Sequence, residues 1–354
     1  MKKLLTGAAS IVLVSALSIS AVAADKLKVG FVYIGPPGDH GWTYQHDQGR
    51  QAIDARLGDQ VETVFVENVP EGPDAERTIT RLARQGAGLI FTTSFGYMDP
   101  TIKVAAKFPD VKFEHATGYK RADNVSTYSG RFYEGRYVIG QIAAKMSKTG
   151  VAGYIASFPI PEVVRGINSF MLGAQSVNPD FKVKVVWVNS WFDPGREADA
   201  AKVLISQGAD MISQITDSTA PAQVAAELGA NVFGQATDMS AFAPDALLTS
   251  IIDNWDDYYV ERTQAVLDGT WVSTDTFGGF DINMVNMGPF INMPADVKAM
   301  AEATTASIKS GDFHPFTGPI YKQDGSLAAA EGEIIDLGVL LGMDWYVLGV
   351  DDQL

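Results

Sequence analysis

Four histidines, His40, His46, His115 and His314, are the natural place to look for catalysis or metal binding, and none stands at a zinc-motif spacing. His40 beside Asp39 and His46 beside Asp47 each couple a base to a carboxylate that could orient it. No Gly-x-Ser-x-Gly elbow offers those bases a nucleophile, and no P-loop offers a phosphate cradle. Gly35-Pro-Pro-Gly38 follows a strand-like run, as a dinucleotide loop would, but its prolines lack the backbone donors a pyrophosphate needs. Cysteine is absent, which excludes disulfides, thiolate metal sites, cysteine nucleophiles and a lipid-bearing N-terminal Cys. The expectation is a binding protein, not an enzyme, with no metal and no cofactor.

Aromatic rings set beside hydrogen-bonding groups are the chemistry that remains. The loop from Gly35 to Asp47 carries Trp42 and Tyr44 and leads into a helix expected to begin near Gln48. Phe95 lies between Ser94 and Gly96, after the apolar run Leu89 to Thr93. Later loops hold Ser157-Phe158-Pro159, Trp191-Phe192-Asp193, Asp217-Ser218-Thr219 and Asp238, and Asp253-Asn254-Trp255 follow a last apolar run. Facing a cleft, such aromatics sandwich a planar ring while carboxylates accept from its N–H groups. Each carboxylate could equally cap a helix, and Asp193 before Pro194-Gly195 is the best suited to that role. Trp42 could instead pack beneath its own loop.

The elements that must position these loops occur twice. Val61–Val66 and Val183–Val188 are β-branched, aromatic-rich strand candidates, 122 residues apart. The same offset relates Leu82-Ala-Arg-Gln-Gly-Ala87 to Leu204-Ile-Ser-Gln-Gly-Ala209, where a Gly suits the left-handed cap of an amphipathic helix. Val29-Gly-Phe-Val and Val151-Ala-Gly-Tyr-Ile share it, and Phe113-Glu-His-Ala-Thr117 and Phe233-Gly-Gln-Ala-Thr237 fall two residues short. Ala75, Ile79, Leu82 and Ala83 form one stripe of a helix packed on a sheet. Each copy reads strand, helix, strand, helix, strand, helix, strand, which implies a parallel sheet covered on both faces. Thr127–Tyr133 and Thr249–Trp255, again 122 apart, are expected to follow the last strand of each copy and cross between lobes. Gly278-Gly279 and Gly288-Pro289 mark a third crossing.

The predicted fold is therefore α/β, with two doubly wound parallel-sheet lobes joined by a multi-strand hinge. Lobe 1 takes residues 25–129 and about 253–283, and lobe 2 takes 130–252 and about 284–330. The segment 331–354 is expected to pack on the lobes as a C-terminal extension. Ligands of open α/β sheets sit beyond the carboxyl ends of the strands, here in the cleft. Residues 1–24 read as a signal peptide: Lys2-Lys3, an apolar stretch to Val22, and Ala21-Val22-Ala23 for cleavage near Ala23 or Ala24. The formal charge of −15, or −17 without those two lysines, argues against nucleic acid and anionic membrane as partners.

On these residues the chain resembles the basic membrane protein family of ABC-transporter substrate-binding proteins, which includes purine-nucleoside receptors. The resemblance rests on the Asp39–Asp47 loop, Phe132-Tyr-Glu-Gly-Arg-Tyr-Val-Ile-Gly140, Gly173-Ala174 with Pro179, and Asn189-Ser-Trp-Phe-Asp193. Gln207-Gly-Ala-Asp210, Gly234–Asp238, Thr249-Ser250 and Asp344-Trp-Tyr-Val-Leu-Gly-Val350 complete it. It implies a type I periplasmic-binding-protein fold, a purine or related solute as ligand, and a permease in the inner membrane as partner. It places Trp42 and Trp191 on the two faces of the base, Asp217 in the loop after Gly-Ala-Asp, and Asp238 in a Gly-x-Asp-x-Asp-like turn. The chain departs from many members in lacking the lipid-bearing Cys, which suits a free periplasmic monomer. It departs again at Asp253, where many members carry Lys, so the favoured polar edge of the ligand should change toward an amine-bearing nucleobase such as adenine. A sugar or polyol receptor of the same fold, or a periplasmic partner of a membrane sensor, is the alternative.

Overall fold

The computed structural model describes residues 26–354, so the expected signal peptide lies outside the described residues. In chain order the first copy comprises β1 (Leu27–Val32), α1 (Trp42–Leu57), β2 (Val61–Val66), α2 (Pro73–Arg84), β3 (Ala87–Thr92), α3 (Met98–Ala105), β4 (Lys112–Ala116) and β5 (Val125–Gly130). The second comprises α4 (Tyr133–Met146), β6 (Val151–Ala156), α5 (Pro161–Gln175), β7 (Lys182–Trp187), α6 (Pro194–Ser206), β8 (Met211–Gln214), α7 (Ala220–Leu228), β9 (Asn231–Gly234) and β10 (Leu247–Asp253). Then follow α8 (Asp256–Leu267), β11 (Asp275–Gly278), β12 (Val285–Met287), α9 (Ala295–Ser310), β13 (Ile320–Tyr321), β14 (Leu327–Ala329), α10 (Leu337–Leu341) and β15 (Val350–Asp351).

The two sheets run β11-β5-β4-β3-β1-β2 and β12-β10-β9-β8-β6-β7-β15, so the repeated strands take the same order in both. Each repeated pair is parallel, as helical crossovers require. Gly86 and Gly208 close α2 and α6 at φ +86° and +96°, the left-handed geometry expected of them. Contrary to expectation, Thr127 to Gly130 and Thr249 to Asp253 do not follow the last strands as crossings. They are strands themselves, the fifth of each copy, because their backbones continue the ladders of β4 and β9.

The chain passes between the sheets at residues 131–132, 254–255 and 279–284, after β5, β10 and β11. Past the third passage the edge strands differ: β11 joins β5 in parallel, whereas β12 runs antiparallel to β10. Helix α8 docks on the first sheet through a buried polar knot. The Glu114 carboxylate accepts from Tyr258 Oη (2.7 Å), Arg262 Nε (2.6 Å) and Trp271 Nε1 (2.7 Å). On the second sheet α4 and α5 cross at Gly140 and Gly173, where any Cβ would collide with the carbonyl of Phe170 or Tyr137. The C-terminal segment adds to the second sheet: β15 pairs with β7, and Arg165 and Asn168 of α5 donate to the carbonyls of Leu340 and Trp345.

Candidate functional site

Between β1 and α1 the chain turns on one carboxylate. Asp39 accepts from the backbone N–H of Gly41 (2.8 Å), Thr43 (3.0 Å) and Tyr44 (2.9 Å), satisfying the open donors of the first helical turn. That is why α1 begins at Trp42 and not near Gln48. Burial raises the Asp39 carboxyl above its ordinary range, and those N–H groups pull it back. The early start places Trp42 at the helix N-terminus. Its indole Nε1 donates to the Thr93 carbonyl (2.7 Å), and His46 (4.4 Å) and Trp255 (5.7 Å) meet it edge-on.

The carboxyl ends of the two sheets face each other across a narrow, partly open cavity. Ile34, Trp42, Ser94, Phe95 and Thr117 line it from the first sheet, and Glu162, Trp191, Ile215, Asp217 and Gln235 from the second. Phe132, on the first passage between sheets, closes one side. The walls are thus aromatic and the polar groups are mostly acceptors; no Lys, Arg or His is among the described lining residues. Burial pushes the Asp217 carboxyl well above the usual range, helped by the negative charges of Asp39, Glu197 and Asp253, against the pull of the Trp42 backbone N–H. Glu162 is raised by burial against Arg165 and Arg136. Gly41 and Asp217 meet across the gap, so closely that a Cβ at Gly41 would strike the Asp217 backbone.

Of the residues singled out in the sequence, Trp42, Phe95, Trp191 and Asp217 come together on this cavity. Phe158 packs against Trp191, ring centroids 5.2 Å apart, on an outer groove that also holds Ile34, Asn68, Asn189 and Phe192. Tyr44 lies outside the cavity, 5.4 Å from the His40 ring. Asp238 is exposed, its carboxylate accepting from Ser240 N (2.9 Å) in a turn. Asn254 accepts from Asp256 N (3.3 Å) at the start of α8, and Trp255 is fully buried, stacked on His46 at 4.8 Å. Asp253 is buried behind the lining, and neither carboxylate oxygen has a partner among the described residues. Its carboxyl is pushed well up by burial and by Glu162, with Arg136 opposing.

Several lining residues carried no site signal in the sequence. Phe132 sits inside a helix-entry motif, Glu162 follows Pro161 like any first-turn acid, and Gln235 directly follows the repeated fourth strand with nothing to mark it. Only the place of Thr117 and Gln235, each the first residue past a fourth strand, could have pointed to that pair.

Two sheets of like order facing one cavity define a solute-binding architecture of the type I periplasmic kind. Solved structures with this fold include an ABC-transporter solute-binding protein of Aeropyrum pernix K1 (TM-score 0.71, 21% identity, covering 81% of this chain and 92% of that one). A solute-binding protein of Conexibacter woesei superimposes with TM-score 0.66 at 18% identity, over 81% of this chain and 98% of that one. The chain belongs to the Bmp family, "ABC transporter substrate-binding protein PnrA-like", whose profile matches residues 26–310. It is 68% identical to a purine-binding protein of Brucella abortus, over 95% of this chain and 96% of that protein. A putative ABC-transporter glucose-binding protein of Haloferax volcanii is 38% identical over 84% of this chain and 76% of its own length. The protein is accordingly a substrate-binding component of an ABC transporter, a class that binds small solutes and works with a permease. Among the described residues no helix is long and apolar enough to cross a membrane.

Proposed function

We propose that the protein captures a neutral, nitrogen-rich planar solute, a purine nucleobase with adenine the first candidate, and presents it to an importing permease. The observation that carries this reading is the cavity lining. Aromatic rings from both sheets (Trp42 and Phe95 on one side, Trp191 on the other) surround a space whose polar side chains are Asp217, Glu162, Gln235, Ser94 and Thr117, with no cation among the described lining residues. Rings stack on a flat heterocycle, carboxylates accept from its N–H groups, and the missing cation disfavours an anionic ligand. The 68% identity to a purine-binding protein supports the same assignment. On this reading residues 25–129 with about 253–283 move as one lobe against 130–252 with about 284–330, and the solute is held when they close. The protein works as a periplasmic monomer, released from a leader cut near Ala23 or Ala24.

The test is a thermal-shift and calorimetric comparison of ligand-stripped protein with nucleobases, nucleosides, pentoses and hexoses. A ligand bound only by the folded state adds about 2.7 kcal/mol of stability at a hundredfold excess over its Kd. Adenine is expected to raise the melting temperature, and Trp42→Ala to abolish the rise. Stabilisation by sugars alone would transfer the site to a polyol, as the Haloferax relative's name suggests for that protein. Xanthine binding tighter than adenine would overturn the choice of an amine-bearing base.

A further inference from the structure

Behind the cavity floor lies a buried cation that touches no solute space itself. Arg136, only 1% exposed on α4, donates through Nη1 to the Gln214 carbonyl (2.9 Å) and Ser213 Oγ (3.3 Å). Its Nη2 donates to Gln235 Oε1 in a short contact. A guanidinium carries only donors, so the amide oxygen of Gln235 must face it. The amide nitrogen is thereby turned the other way, on a residue that lines the cavity, and it has no hydrogen-bond acceptor among the described residues. Gln235 thus presents two donor hydrogens and no acceptor to a bound solute, while Asp217 and Glu162 each keep an acceptor oxygen in either protonation state.

We propose that Arg136 is a positioning residue that locks the Gln235 amide as a donor, so that the site selects a ligand with a ring acceptor next to an exocyclic amine. Resting on the purine reading, this names the chemical subclass: 6-aminopurines over 6-oxopurines. Adenine offers the acceptor N1 beside its amine; hypoxanthine held in the same pose between the aromatic walls carries N1–H and a carbonyl at those points and reverses both. Either end of the mismatch leaves a buried group unpaired, the condition under which hydrogen-bonding sites discriminate strongly.

The experiment is calorimetric titration of adenine and hypoxanthine into wild type, Gln235→Glu and Arg136→Lys, with ligand-free melting curves for each. Gln235→Glu keeps the side chain's shape and its contact with Arg136 but replaces the donor by an acceptor. We expect it to reduce the preference for adenine over hypoxanthine by about tenfold or more, in line with the value of one well-placed base contact. Arg136→Lys, which keeps the charge but loses the fork, should narrow the same ratio by freeing the amide to rotate. A ratio unchanged in both variants, with purine still bound, overturns the proposal and leaves the purine site standing. Failure of wild type to bind any purine overturns the purine reading, and this inference with it.

Discussion

Gly41→Ala offers a way to separate closure from folding. The added Cβ would lie 3.0 Å from both the carbonyl carbon and the Cα of Asp217, and closer still to its carbonyl oxygen. Ordinary carbon–carbon contact needs about 3.5–4.0 Å, so the two segments must part by about 0.5–1 Å. Neither side of the contact is a rotatable side chain. One is the N-terminus of α1, held by the three Asp39 bonds; the other is the loop after β8, held by Asp217 N donating to the Trp191 carbonyl (3.0 Å). Relief therefore comes from widening the cleft. Overpacking of this kind costs about 1–3 kcal/mol, and on the closure proposed above that cost falls on the closed state alone. Binding of adenine should weaken by about 5- to 150-fold. The ligand-free melting temperature should stay within about 2 °C of wild type, because an open cleft carries no such contact. Calorimetry for affinity and scanning calorimetry without ligand read the two quantities separately. An affinity within twofold of wild type would refute the closure argument, and an equal loss of ligand-free stability would show the clash to be local.

Asp253 and Glu114 give two further predictions, one on pH and one on stability. Burial raises the Asp253 carboxyl above its ordinary 3.8, so its contribution to stability is present below that value and is lost as pH rises through the higher folded value. Ligand-free Asp253→Asn should therefore gain on wild type between pH 4 and 7 in thermal melts, and a gap that stays constant or shrinks contradicts the sign. Glu114→Ala strands the Arg262 charge and two further donors beneath α8, and should cost about 3–5 kcal/mol in denaturant titration. A loss under 1 kcal/mol would mean that α8 is held by its apolar contacts instead.

The architecture was legible because it is written in local, periodic signals. Helix stripes such as Ala75, Ile79, Leu82 and Ala83, glycine caps at Gly86 and Gly208, and short β-branched runs all report on their own neighbourhoods. Their repetition at one offset required two sheets of the same strand order. The same information placed Trp42, Phe95, Trp191 and Asp217 at strand ends, where a cleft-facing loop must lie.

Membership of the cavity is another matter, because it depends on where a side chain points once two separate sheets face each other. Asp217 and Asp238 look alike in sequence, each an acid just past a strand of the second copy. One is buried against the α1 N-terminus of the other sheet, and the other is exposed and bonded to its own turn. Nothing within a few residues of either distinguishes them; the difference is made by a segment far away in the chain. Gln235 likewise becomes a directed donor only because Arg136, 99 positions earlier, takes its oxygen. Local patterns therefore determined the elements and their order, which short-range backbone and packing preferences control. The tertiary structure alone decided the polarity of the site, since hydrogen-bond direction and burial are set by partners the sequence holds far apart.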